Sequence, residues 1–169
     1  RLWFLERLAP GDPSYNGFGA VRFTGPLDES ALLAAFREIV RVQEALRTTF
    51  PDVEGRPVQR PAPAVAVDLP AVDLRALPEE RRLPEAHRLA LEEARRPFDL
   101  AAGPLLRLAL LRLDEDRHVL FTALHHIVSD AWSIALIYRD LMALYARPAA
   151  LPEPPVQPID YALWQRRWF

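Results

Sequence analysis

A chain of 169 residues, half of them hydrophobic, is long enough for one domain with a buried core and is not of disordered composition. A formal net charge of −2 gives no electrostatic footprint for nucleic acid, and no apolar run reaches the roughly 18 residues of a membrane span. All 21 basic side chains are arginine and cysteine is absent, which excludes a lysine Schiff base, thiol catalysis, disulfides and cysteine-based zinc sites.

Arg1 to Leu8 reads as a short aromatic-rich helix, and the turn formers from Ala9 to Gly17 as a loop. Phe18 to Thr24 alternates as a strand, and Asp28 opens a helix over about 29–42 whose stripe of Leu32, Phe36, Ile39 and Val40 is apolar until Gln43. Ala45 to Phe50 is expected as a strand. Asp52-Val53-Glu54-Gly55 reads as a hairpin turn into Pro57-Val58-Gln59, and Pro61 to Leu69 as an edge strand. A second helix, Glu79 to Arg96, carries a heavily charged outer face that is expected to be solvated.

Leu105 to Leu113 and His118 to His126 form an antiparallel pair by length and polarity, joined at Asp114–Arg117. Ala131 to Ala146 is helical, Arg147 to Pro158 is a proline-rich linker, and Ile159 to Phe169 a last short helix. Trp3, Trp164 and Trp168 are expected to pack the ends of the chain. Strands and helices in no repeating order predict an α/β fold: a mixed sheet with helical cover.

The chemistry concentrates at His125-His126-Ile127-Val128-Ser129-Asp130, where an apolar strand ends in paired histidines and a helix follows. Histidine is the side chain here whose unperturbed pKa suits a proton acceptor near neutrality. Neighbouring residues on a strand point to opposite faces, so only one of His125 and His126 faces a given cleft. The same divergence argues against a metal held by His125, His126 and Asp130, and no metal site is expected.

Four stretches, in order, resemble the motifs of the condensation domains of nonribosomal peptide synthetases. Arg1-Leu2-Trp3-Phe4-Leu5 is similar to the later part of the first motif. Glu44-Ala45-Leu46-Arg47-Thr48-Thr49-Phe50 is similar to the second, RHExLRTxF. His125 to Ser133 is similar to the third, HHxxxDG, and Asp160-Tyr161-Ala162-Leu163-Trp164 to the end of the fourth, YxDFAVW. The sequence departs from these patterns at Ala131, where the motif has glycine, at Val42-Gln43 for Arg-His, and at Pro158 for tyrosine.

The resemblance covers the whole chain but only the first half of the family's domain. It implies that residues 1–169 are the N-terminal subdomain, one lobe of the chloramphenicol acetyltransferase-like two-lobed fold, without the C-terminal lobe. It implies that His126 is catalytic, with His125 behind it, and that Asp130 braces the turn in a buried ion pair for which Arg47 is the candidate partner. Ser129, Ala131 and Trp132 shape the turn, Ser133 supports the helix start, and the alanine methyl is expected to block or strain a position suited to glycine.

The implied reaction is peptide-bond formation between aminoacyl or peptidyl thioesters presented on 4′-phosphopantetheine by upstream and downstream peptidyl carrier proteins, beside an adenylation domain. The Ser129–Ser133 stretch resembles the subclass that couples two L-configured residues. No cofactor is expected on the lobe itself, the isolated lobe is expected to be inactive, and a bacterial, cytoplasmic protein is implied. Two rivals stand beside this reading: acyl transfer to an alcohol, and a non-catalytic lobe that docks a carrier protein or another lobe.

Overall fold

The computed structural model describes residues 1–168. Helix α1 (Leu2–Leu8) leads through a 3-10 turn into β1 (Asn16–Thr24) and α2 (Glu29–Val42). A second 3-10 turn, Glu44–Arg47, precedes four two-residue strands, β2 (Thr48–Thr49), β3 (Asp52–Val53), β4 (Arg56–Pro57) and β5 (Arg60–Pro61). Then follow β6 (Ala71–Asp73), α3 (Glu79–Arg95), β7 (Leu106–Arg112), β8 (Arg117–His125), α4 (Ala131–Ala146) and α5 (Pro158–Trp168). The chain divides into two compact units. One comprises Arg1–Glu29, Asp68–Phe98 and Leu106–Ile127; the other comprises Ser30–Val67, Asp99–Leu105 and the chain from Val128 onward.

The first unit holds a four-stranded sheet in the order β1-β8-β7-β6. β8 runs antiparallel to both β1 and β7, while β6 runs parallel to β7, so the sheet is mixed as expected. β8 lies between two partners and is buried from His118 to His125. That is why Val119–Leu124 is apolar at every position but Thr122 instead of alternating. β1 is an edge strand, and its burial alternates along its length. Helix α3 lies against β1 and β8. Leu74, Ala86, Leu111, Leu113 and Val119 form a core with Leu77 and Leu89 packed on it. Fully burying each such leucine or valine contributes roughly 1.5–3 kcal/mol. Arg82 ties the start of α3 to the carbonyls of Arg75, Leu77 and Leu113.

In the second unit α2 buries Leu32, Phe36, Ile39 and Val40, the stripe predicted from spacing. The hairpin at 52–57 also forms, with Asp52 opposite Pro57 and Val53 opposite Arg56. Its central residues Glu54 and Gly55 have φ of 53° and 78°, the left-handed pair that suits a tight hairpin.

Four expectations are corrected. The strand placed over Ala45–Phe50 is a 3-10 turn through Arg47, with only Thr48–Thr49 extended and paired to Arg60–Pro61. Glu44, Ala45, Leu46 and Arg47 are helix formers with no branch at Cβ, and the Thr48 hydroxyl closes the turn by donating to the Glu44 carbonyl at 2.7 Å. The edge strand read over Pro61–Leu69 reduces to its first residue, and the third sheet neighbour is instead β6, only three residues long. The Arg147–Pro158 segment is a strap on α2: Glu38 accepts from Leu151 N–H at 2.7 Å and Gln157 Nε2 donates to the Val42 carbonyl at 2.9 Å. Trp3 is buried, but Trp164 and Trp168, expected to pack the chain ends, are exposed on α5.

Candidate active site

β8 delivers both histidines to one end of the sheet, and the ladder with β1 fixes their places. His125 pairs with Asn16, and the His126 N–H extends the ladder by donating to the Tyr15 carbonyl at 2.8 Å. The Asn16 amide in turn donates to the carbonyls of Ala94 and Arg96, at 2.8 and 3.0 Å, where α3 ends. The strand end that carries the histidines is therefore held by β1, which is itself tied to α3.

The two side chains have different environments. His125 is 2% exposed and lies edge-on to the Phe98 ring, with centroids 6.1 Å apart and planes at 87°. Its Nδ1 accepts the Ile127 N–H at 3.0 Å, so the imidazole itself closes the turn that follows the strand. An accepting Nδ1 carries no proton, which puts the proton of the neutral ring on Nε2. Burial, with the charge of neighbouring His126 as a lesser cause, pushes the His125 pKa down to about 4. At neutral pH it is an uncharged acceptor of a backbone hydrogen bond. His126, next along the chain, is exposed.

Beyond Ile127 the chain enters the second unit, where Asp130 is the N-cap of α4. Asp130 Oδ1 accepts from the Ser133 N–H at 2.8 Å, and Ser133 Oγ accepts from the Asp130 N–H at 2.7 Å, a reciprocal capping box. Two of the otherwise unpaired donors at the helix start are satisfied this way. Asp130→Ala should lower stability by roughly 0.5–2 kcal/mol, as loss of an N-cap does, read as faster amide exchange over the first turn of α4.

The contacts recorded for Arg47 and Asp130 lie elsewhere than in the expected ion pair. Asp130 is exposed, and Arg47 sits on the 3-10 turn, not on a strand. The Arg47 guanidinium, 14% exposed, donates to the Ala62 carbonyl at 2.5 Å and lies 3.7 Å from the Glu44 carboxylate. The Ala62 N–H returns a bond to the Arg47 carbonyl at 2.9 Å, so Arg47 clasps the 47–62 loop shut. Gln43 lines a cleft of about 70 Å³ together with Leu46, Val128, Ser133 and Ile137.

Ala131 is the first residue of α4 and is exposed, and among described non-glycine residues only Glu54 has a positive φ. The position therefore needs no left-handed backbone, and the strain expected from alanine is absent. Ala131→Gly should leave the turn intact and weaken the helix by at most about 1 kcal/mol, a loss visible as a lowered thermal midpoint. Trp132 follows at 75% exposure, and Ser129 is buried.

Among the described residues, no group of three or more His, Asp or Glu side chains is placed to hold a metal ion, and no helix is long and apolar enough to cross a membrane. The sequence pointed to the histidines and to Asp130, though not to its capping role, and not to Tyr15, Asn16 or Phe98. Those three lie about 27–110 positions from His125 along the chain, in segments read as a loop and a helix end. Only the strand register brings them to it.

The condensation-domain family model matches residues 1–168. Phosphinothricin tripeptide synthetase PhsC of Streptomyces viridochromogenes is 46% identical over 172 residues, covering 99% of this chain and 16% of that protein. The first condensation domain of the calcium-dependent antibiotic synthetase, solved in complex with a substrate analogue, superposes with a TM-score of 0.83 at 28% identity, over 99% of this chain and 41% of that one. The X-domain of teicoplanin biosynthesis, solved in complex with OxyB, superposes at 0.84 and 34% identity, over 98% of this chain and 36% of that one. The chain thus spans 16% of the length of the synthetase and well under half of each superposed chain. Its α/β fold is that of a lobe of the chloramphenicol acetyltransferase-like architecture.

Proposed function

The chain belongs to the condensation-domain family of nonribosomal peptide synthetases, and from that premise we propose that it is the N-terminal lobe of a domain that joins carrier-bound aminoacyl groups by an amide bond. A donor aminoacyl or peptidyl thioester, on the 4′-phosphopantetheine of one carrier protein, is attacked by the amine of the acceptor on the next. The new N–C bond forms as the C–S bond breaks, and the proton lost by nitrogen leaves through His126 while the sulfur departs as the carrier's thiol. The observation that carries this reading is the contrast between the histidines: His125 is committed to the turn as a neutral acceptor, and His126 is open to solvent.

In this reading Asp130 and Ser133 act by holding the start of α4, and Arg47 by closing its loop. The lobe itself binds no cofactor; the phosphopantetheine arms belong to the carriers, and the adenylation domain that loads them works alongside in the cytoplasm. A single lobe supplies one wall of the substrate passage, so the 169 residues alone are inactive.

The test is turnover by the full-length protein supplied with a loaded donor carrier and either an amine-bearing or a hydroxyl-bearing acceptor. Mass spectrometry of the acceptor carrier should find the amide. Ester formation alone would place the protein with the alcohol acyltransferases. A second reading, a docking lobe without chemistry, is favoured by one relative, the teicoplanin X-domain that was solved bound to OxyB. No product with either acceptor would favour it.

A further inference from the structure

We propose that Phe98 and Arg107 are positioning residues of the histidine turn: Arg107 fixes the Phe98 ring, and that ring fixes the His125 imidazole that closes the turn bearing His126. For its consequence in catalysis the proposal rests on the reading of His126 given above; its structural part does not.

The contacts run in series through the first unit. Arg107 stands on β7, with its side chain 11% exposed. Its guanidinium donates from Nη2 to the carbonyls of Glu93 and Arg96, at 2.9 and 2.6 Å, and from Nη1 to the Pro97 carbonyl at 3.1 Å. Nε lies 3.3 Å from the Glu93 carboxylate. These carbonyls lie where α3 ends, and a cation there is favoured by the helix dipole as well as by the hydrogen bonds. Burial pushes the Arg107 pKa down to about 10, which leaves it charged at neutral pH.

With its edge held by the helix end, the guanidinium has its face free, and Phe98 occupies it. Arg107 Cζ stands 3.7 Å from the centroid of the Phe98 ring. A partly desolvated cation over an aromatic face is a directional contact, stronger than the same pair in water. Phe98 is 6% exposed, and it meets His125 at 87°, edge to face. The orientation of the imidazole matters because only one setting of the ring points Nδ1 at the Ile127 N–H. A rotated ring would leave that donor unmatched and release the turn. Asn16 anchors the same carbonyl of Arg96 from the β1 side, so the helix end serves both strands.

Neither half of the stack is replaceable by a residue of similar size. Lysine keeps the charge but lacks the planar face and the fork that reaches three carbonyls. Leucine keeps apolar volume at 98 but has no ring to meet either neighbour.

The experiment uses the full-length protein with Arg107→Lys and Phe98→Leu, read by amide exchange mass spectrometry and by steady-state condensation kinetics. Exchange should accelerate tenfold or more in the peptide spanning residues 124–128 and stay unchanged at the opposite end of the hairpin, residues 111–118. Condensation kcat should fall about tenfold, with KM for either carrier unchanged. Equal acceleration across β1, β7 and β8 would mean general loosening and would overturn the proposal, as would unchanged exchange at 124–128 whatever the rate does. Local acceleration with an unaltered kcat would uphold the stack while counting against His126 as the proton acceptor.

Discussion

Replacing His126 by alanine is expected to slow amide formation by roughly 10²–10⁴-fold in the full-length protein while leaving its folding intact, the range that a positioned proton acceptor contributes. An attacking amine becomes positively charged as the N–C bond forms, and the intermediate collapses productively only when that proton is removed. Of the two imidazoles on the turn, that of His126 is the exposed one and that of His125 is buried. The scaffold itself survives the substitution. It is the His126 main-chain N–H, not the side chain, that bonds the Tyr15 carbonyl, and it is His125 that accepts from Ile127. Rate loss with an unchanged thermal midpoint and unchanged exchange in β8 is therefore the expected pair of results. A rate within threefold of the parent would remove His126 from the chemistry and leave orientation of the two thioesters as the main source of acceleration.

A second large effect is expected from acid. An unfolded histidine titrates near 6.5, whereas in the fold His125 is held down to about 4. Above about pH 6.5 the ring is neutral in both states and stability is at its full value. As pH falls from about 6.5 toward 4 the unfolded chain takes up a proton that the folded chain refuses, so stability declines through that window, by about 3 kcal/mol in total. Protonation at Nδ1 also removes the acceptor for the Ile127 N–H, so the turn loosens with it. Unfolding by urea at half-unit pH steps, or amide exchange in β8, should trace the decline. His125→Gln should be less stable at pH 7 but should lose this part of the pH dependence. Glu29 and Asp114, whose carboxyl pKa values are held low by Arg112 and Arg117, weaken the fold only once pH drops below their ordinary range of about 4. A variant with the same slope between pH 6.5 and 4.5 as the parent would assign the decline elsewhere.

How much of this was legible beforehand depended on how local the cause was. The Val119–Leu124 run announced an apolar strand, Asp52–Gly55 announced a hairpin turn, and Ser133 a helix start, because each is determined within a few residues; the capping role of Asp130 was not read. Arg47 was misplaced because its motif was read as a strand, whereas residues 44–47, none branched at Cβ, wind into a 3-10 turn that aims the guanidinium at Ala62. Ala131 looked strained only while the position was taken to need glycine; a helical first residue accepts alanine readily. Phe98, Arg107, Asn16 and Tyr15 carried no signal of their own. Their relation to His125 exists only through the sheet register and the end of α3.

The pairing of β1 with β8 also sets a schedule for synthesis. In the sheet Asn16–Thr24 pairs with Arg117–His125, so the first strand is synthesised about 100 residues before its strand partner exists. At typical elongation of about 5–20 residues per second, it waits roughly 5–20 s as an unpaired segment. The alternation that leaves Phe18 exposed in the finished sheet also leaves an apolar side chain available throughout that interval. Nascent chains stalled before residue 117 should therefore be protease-sensitive across residues 16–24, and chains long enough for residue 125 to clear the ribosomal exit tunnel should be protected there.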